Sequence, residues 1–396
     1  MLELAQEAFN KLEHYCQGEG FQGWDPYDGL TSKVFQAMPF LPDRRLTRLM
    51  WIQFIKKSPV NFRPLLKIDK GFNAKGLALF ISGYATLSKV PGYLAHSVDA
   101  IYFLTDKLIS LNQPGYSGSC WGYNFDWESR AFFQKKDTPT IVATTYAANA
   151  LLDAYEVTND ARYLDQAFLS KEFILRDLKR TYDPRGNFAF SYSPFDQTSV
   201  FNASLLGARL LSRIYSYTGE SNLIESARLA VTYCCNFQNS DGSWYYSNLP
   251  FHRWIDNFHT GFNLECISEY GYYSGDKTFH SNFSRGMEYY LHTFFDSKGQ
   301  SKYYNNSVYP IDIHAPSQLV ITLSKSKLFL QNIELIERVL KWTIENMQSN
   351  KGHFYFQKRK YYTNKIPYMR WSQGWIFYAL AHYIQNKQIN RHEHMV

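Results

Sequence analysis

The chain has 396 residues and a net charge of +7, from 42 Lys+Arg against 35 Asp+Glu. The basic residues are scattered with no basic stripe, which argues against a nucleic-acid interface; no stretch approaches the roughly 20 apolar residues that span a bilayer. The hydrophobic fraction of 45% is ordinary for a globular protein, but 31 Tyr, 30 Phe and 9 Trp are many, and flat amphipathic rings suit the C–H faces of sugars as well as a core.

In chain order, residues 2–17 are expected to be helical, and Glu3 and Glu7 stand where a secretory leader needs basic and apolar residues, which points to a cytoplasmic protein. Trp24-Asp25-Pro26-Tyr27-Asp28-Gly29 reads as a turn carrying two aspartates. The segment 43–57 finds no place in the pattern that follows. From residue 72 one unit recurs: an almost uncharged helix, a polar turn, an amphipathic helix and an aromatic loop with a glycine. Uncharged helices are expected near 72–88, 139–156, 197–217, 257–273, 313–325 and 371–385. Amphipathic helices fall near 94–112, 161–178, 221–237, 277–295 and 331–348. Within 139–156, Ile141, Ala148, Leu151 and Tyr155 share one face, and Val142, Ala143, Tyr146 and Asn149 leave the opposite face uncharged too. Such a helix is buried on all sides.

The loop glycines Gly186, Gly242, Gly299 and Gly352 lie 56, 57 and 53 residues apart, a period that means repeated helical hairpins. Six pairs sharing a buried inner layer can close into an all-α toroid, with 2–17 as the sixth outer helix and the whole of 1–396 as one domain. The outer-to-inner loops are long enough to be functional. They gather at one mouth with the inner-helix N-termini, whose free N–H groups favour anions. Five cysteines without a CxxC pair (Cys16, Cys120, Cys234, Cys235 and Cys266) read as reduced, mostly buried thiols.

With twelve helices in six pairs, the chain resembles the alpha/alpha toroid superfamily, which includes six-hairpin glycosidases, toroidal polysaccharide lyases and terpenoid cyclases. Gln238-Asn-Ser-Asp-Gly242-Ser-Trp244 is similar to the Gln–Gly–Trp repeat of terpenoid cyclases, with echoes at Gln113…Gly118…Trp121 and Gln348…Gly352…Phe354. In that family the motif is structural, and the aspartate-rich protonation motif of the cyclases is not found here. The run of aromatic loops resembles proteins of bacterial exopolysaccharide and capsule biosynthesis. Trp254-Ile-Asp256-Asn-Phe-His259-Thr260-Gly-Phe-Asn263 is similar to a stretch in the helical domain of uronyl 5-epimerases.

Candidate chemistry sits where loops meet inner helices. Asp126 and Glu128, with Trp121, Trp127 and Arg130, form the densest polar cluster; a carboxylate desolvated among rings can act as general acid. Asp256 and His259 are three apart, so they share a helix face and the carboxylate can fix the imidazole tautomer, though Asp256 also fits an N-cap. Asp312 would cap the helix that carries His314 and Pro316. Arg370, beside Trp371, Gln373 and Trp375, fits bidentate carboxylate or phosphate binding. Asp196 reads as a cap. Trp244 and Trp254 are further candidates for stacking on a sugar. Catalytic candidates are thus Asp126, Glu128, Asp256, His259 and Asp312; the binding candidates are Trp121, Trp127, Arg130, Trp244, Trp254, His314, Arg370, Trp371 and Gln373. Metal-site, nucleotide-loop and serine-elbow spacings are absent, so neither cofactor nor metal is expected.

The expectation is a carbohydrate-active enzyme of bacterial surface-polysaccharide biosynthesis. It would cleave or remodel a glycan, acidic in one version, by carboxylate/histidine acid–base chemistry, with other proteins of that process as associates. Two alternatives stand beside it: a uronyl epimerase or lyase, and a non-catalytic glycan-binding or assembly component. Terpenoid cyclisation is a distant third.

Overall fold

A helix with no polar stripe has no face to give to solvent. All fourteen residues of α4 (Ala74–Leu87) are buried, and so are the first twelve of α6 (Ile141–Thr158). Outer helices instead bury one stripe, as α13 (Ile333–Met347) does with Ile336, Val339, Leu340, Thr343, Ile344 and Met347. The computed structural model describes residues 1–393, with side chains through 389. The other inner helices are α8 (Phe201–Thr218), α10 (Asn257–Ser274), α12 (His314–Lys325) and α14 (Trp375–Glu393). Each inner helix packs on the next, and α14 packs back on α4. The ring is closed, and the fold is an α/α toroid of six hairpins.

Around it lie α5 (Leu94–Ser110), α7 (Ala161–Glu172), α9 (Ser221–Asn236), α11 (His280–Phe294) and α13, with α1 (Leu2–Gly18) as the sixth outer helix against α14. The Gln–Gly motifs fasten this layer. Gln238 Nε2 donates to the carbonyls of Gly242 and, on α11, Asn282, both at 2.9 Å. At the seam Gln348 repeats the device, donating to Gly352 O at 3.0 Å and, on α1, to Ala8 O at 2.8 Å. All five cysteines are free and buried.

The segment 43–57, which found no place in the repeat, forms α3 (Arg45–Lys57), preceded by the short α2 (Lys33–Gln36). It packs through a small apolar cluster of its own, Leu30, Phe35 and Ile52, flanked by Trp127. Arg48 of α3 pairs with Glu128 at 2.7 Å, and Arg45 approaches the same carboxylate at 3.5 Å. The other end is tied to a different loop: Tyr362 OH donates to Lys57 O at 3.1 Å, and Asn364 Nδ2 to Ser58 O at 2.9 Å. α3 therefore bridges two of the mouth loops as a cover.

Candidate active site

Polar side chains begin the inner helices. Asn73 caps α4, Thr140 caps α6, and Asp256 caps α10 by accepting from His259 N at 3.0 Å. Asp312 accepts from His314 N at the start of α12, also at 3.0 Å. These caps use up part of the free N–H supply, so the anion-attracting helix ends anticipated from sequence are largely satisfied internally.

Beyond the caps, the first two turns of all six inner helices each send a polar group into the axis of the ring. Tyr146 OH, Asn202 Oδ1, Asn263 Oδ1, both ring nitrogens of His314 and Trp375 Nε1 are buried without a hydrogen-bond partner. The sixth is Lys75 on α4, 4% exposed, whose Nζ lies 4.2 Å over Tyr146, 5.1 Å over Trp375 and 5.2 Å over Phe262. No hydrogen bond or ion pair of Lys75 is found among the described residues. Buried polar groups are nearly always paired; a convergence of unpaired ones marks a surface for a hydrogen-bonding ligand. His314 is sandwiched between Phe258 (centroids 4.4 Å apart) and Trp375 (4.1 Å). Burial holds its imidazole well below the usual range, with Lys75 adding to the effect, so it is neutral.

His259 borders the same well. Its Nδ1 lies 2.7 Å from Asp256 Oδ2, which also accepts from Trp254 Nε1 at 3.1 Å. An ionised carboxylate only accepts, so Nδ1 carries a proton in this pair and Nε2 is left for other chemistry. The ring is 24% exposed and lines a pocket of about 200 Å³ with Asn202, Tyr246, Trp254 and Asn263. A second pocket of about 250 Å³ lies beside Trp24, Asp25, Asn124 and Arg370.

Several expected residues have other work. Arg370 places Nε 2.6 Å and Nη2 2.9 Å from Asp25, so its fork is occupied by the protein. Glu128, 3% exposed, is held by the cover arginines and does not enter the well. Asp126 accepts from Lys136 N at 2.6 Å in its own loop. Asp312 accepts from His314 N, Trp371 Nε1 and Gln357 Nε2, three structural donors. Asp196 is likewise held by Ser193 and Thr198. Trp121 is a core residue, donating to Leu108 O; Trp244 is buried too, with Nε1 on Cys234 O, but borders the pocket of His259. Gln373 brackets the backbone of Phe354 from both sides.

Around the mouth stay Trp127, which meets Tyr27 at 6.0 Å, and Trp254, 5.8 Å from the Arg130 guanidinium. Trp371 packs against Tyr27, Phe258 and His314. Tyr27 sits on Trp371 and Trp127 and is held by Lys56, whose Nζ is 2.6 Å from its hydroxyl. The sequence reading missed Lys75, Tyr146, Asn202 and Asn263 as site residues. Lys75 had a usable signal, being the one charged residue in α4.

No protein-family profile matches the chain, and no curated protein matches it by sequence. Solved structures match its fold. A family 76 glycoside hydrolase, an alpha-mannanase of Bacteroides thetaiotaomicron, superposes with a TM-score of 0.62 at 12% identity, covering 82% of this chain and 89% of that one. Cellobiose 2-epimerase from Bacillus thermoamylovorans gives 0.63 at 11% identity, covering 79% and 88%. An unsaturated glucuronyl hydrolase specific for heparin gives 0.57 at 13% identity, covering 79% and 86%. At this identity the likeness establishes the six-hairpin α/α toroid and nothing finer.

Proposed function

We propose that the chain is a carbohydrate-active enzyme that moves a proton at a sugar carbon, as an epimerase or lyase does. The observation that carries this is the pairing of two imidazoles in an otherwise unsatisfied polar well. His259 is oriented by Asp256, and neutral His314 lies one inner helix away, with both rings against Phe258. His259 Nε2 is the base for a C–H proton next to an electron-withdrawing carbonyl or carboxyl group. Neutral His314 donates an N–H hydrogen bond to the oxygen on which charge develops; in epimerisation the carbanion takes a solvent proton on its other face while His259 releases the one it took, and in elimination the proton on His259 leaves with the departing oxygen as the C–O bond breaks.

Two-carboxylate hydrolysis is the weaker reading, although glycoside hydrolases share the fold. It needs two free carboxyl groups about 5–9.5 Å apart across the scissile bond. Glu128, Asp196 and Asp312 are each held by several protein donors, and Asp126 accepts from Lys136 N within its own loop. The setting in bacterial surface-polysaccharide synthesis rests on the resemblance of the aromatic loops alone. No described helix is long and apolar enough to cross a membrane.

The test is incubation with neutral and uronate-containing oligosaccharides in deuterated water. Solvent deuterium in recovered sugar supports epimerisation, and ultraviolet-absorbing ends support elimination. Both should vanish in His259→Ala. New reducing ends without exchange would overturn the proton-transfer reading in favour of hydrolysis.

A further inference from the structure

The well holds one buried amine that no carboxylate among the described residues pairs with. Among the described residues around it, Arg370 is cancelled by Asp25 through two hydrogen bonds. His259 is matched by Asp256. Deeper in the ring, Arg209 is paired with Glu265 and Glu269, and Lys325 with Glu269. Lys75 alone, buried between Tyr146, Phe262 and Trp375, has only ring faces for partners. Burying an unpaired ammonium is costly, and ring faces return little of what water supplied. Such an arrangement persists at a site whose counter-charge arrives with a ligand.

From this geometry we infer that Lys75 is the seat for a carboxylate carried by the substrate, which makes the substrate an acidic sugar. The assignment rests on the proposed proton transfer and deepens it. A carbanion next to a carboxylate spreads its charge onto the carboxylate oxygens, and a cation set there stabilises it as it forms. The base, His259, borders the well from α10 and His314 from α12, while Lys75 reaches in from α4. A single unmatched cation suits one negative charge, and a phosphate dianion would exceed it.

The pairing has a measurable proton linkage. Burial holds the Lys75 amine well below its ordinary range, and the nearby Arg370 charge lowers it further. The groups that face it are Tyr146 on α6, Glu265 on α10, His314 on α12, and Arg370 with Asp25. Of the acids, Asp25 is committed to Arg370, and Glu265 to Arg209 and Gln318. An arriving carboxylate raises the pKa of the amine, so binding draws a proton from solvent. A neutral sugar has no such effect.

Calorimetry on the full chain, in buffers of different ionisation enthalpy from about pH 6 to about pH 9, reads this directly; the ligands are a glucuronate-ended oligosaccharide, its glucose-ended match and a sugar phosphate. Uptake on the glucuronate ligand should rise with pH toward about one proton, with affinity at least about 30-fold above the neutral match. Both effects should disappear in Lys75→Met. That variant removes an unpaired buried amine at similar volume, so it should melt no lower than the parent; a large drop would show that Lys75 is structural and overturn the inference. Equal affinity for the acidic and neutral sugars with no proton uptake would also overturn it, while leaving the proton-transfer reading intact. Tighter binding of the phosphate would overturn the carboxylate assignment. Failure of every sugar to bind or exchange would instead overturn the proposed function on which it rests.

Discussion

At the scale of single residues, like side chains at the mouth do unlike work, and hydrogen-bond partners decide which. Asp256 and Asp312 are both buried aspartates that cap inner helices. Asp256 points its second oxygen at an imidazole that is 24% exposed, whereas Asp312 meets only backbone, indole and amide donors. Asp256→Asn and His259→Ala should therefore lower turnover by roughly 10²–10⁴-fold with a modest change in melting. Asp312→Asn should do the reverse, turning an acceptor toward donors at about 1–3 kcal/mol. If Asp312→Asn abolished turnover and left melting unchanged, the division of labour between the two would be wrong. The Asp256–His259 pair was legible because its members are three residues apart. The fate of Arg370 was not, since its partner Asp25 lies 345 positions away. Trp121 misled for another reason: an indole that fills a core and one that stacks on sugar look alike until the partner of Nε1 is known.

Among the elements, the hairpin period was readable because inner helices lack charge and outer helices carry it on one side. The expected inner helix 139–156 is Ile141–Thr158, and the expected outer helix 221–237 is Ser221–Asn236. What periodicity could not supply was α3, which belongs to no repeat. The loop glycines that revealed the period also hold the layers together. A Cβ on Gly242 would sit 2.4 Å from Arg285 O on α11, one on Gly299 2.5 Å from Arg338 O on α13, and one on Gly352 2.1 Å from Lys11 O on α1. Gly186 has the same left-handed backbone, with φ +84° against +93° at Gly352, but open space around it. Substituting alanine at either site carries the backbone penalty of about 1 kcal/mol. Only Gly352→Ala also pushes α1 off the ring, so it should melt well below Gly186→Ala and expose the α1–α14 seam to hydrogen exchange. Equal melting of the two variants would mean that the seam tolerates the displacement and that α1 is not what closes the toroid.

Over the whole molecule the ring is sealed by charge at one end and covered at the other. Arg209, Arg213 and Lys325 form ion pairs with Asp153, Glu265 and Glu269 inside the barrel. Buried histidines add a pH term: burial lowers His382 to about 3 and His252 to about 4. Below about pH 6.5 the unfolded chain takes protons that these rings refuse, so their contribution to stability, complete above that pH, drains away as pH falls toward the folded values. Asp28, raised by burial to about 6, works in the opposite sense. The informative quantity is thus the difference made by one histidine: His382→Gln should shrink the loss of melting temperature between pH 7.5 and pH 5, and an unchanged loss would show that His382 titrates normally. The covered end bears on function. Pockets of about 200 and 250 Å³, which take in space open to solvent, leave little room for a glycan, and movement of the cover is the route expected to widen them for an oligosaccharide. α3 is built for that. It buries only Ile52 and Ile55, leaves Leu46 at 68%, Met50 at 62% and Phe54 at 52% exposed, and packs on a cluster separate from the main core. Few buried contacts mean a low cost of local opening, and the Arg48–Glu128 pair, with Arg48 17% exposed, is the main polar tie to the loop it covers. Glu128→Ala should accelerate amide exchange across residues 45–57 several-fold while α4 and α6 remain protected, and should speed association of oligosaccharides more than of monosaccharides. If exchange instead rose equally in α3, α4 and α6, Glu128 would be holding the ring itself, and the way into the well would have to be sought elsewhere.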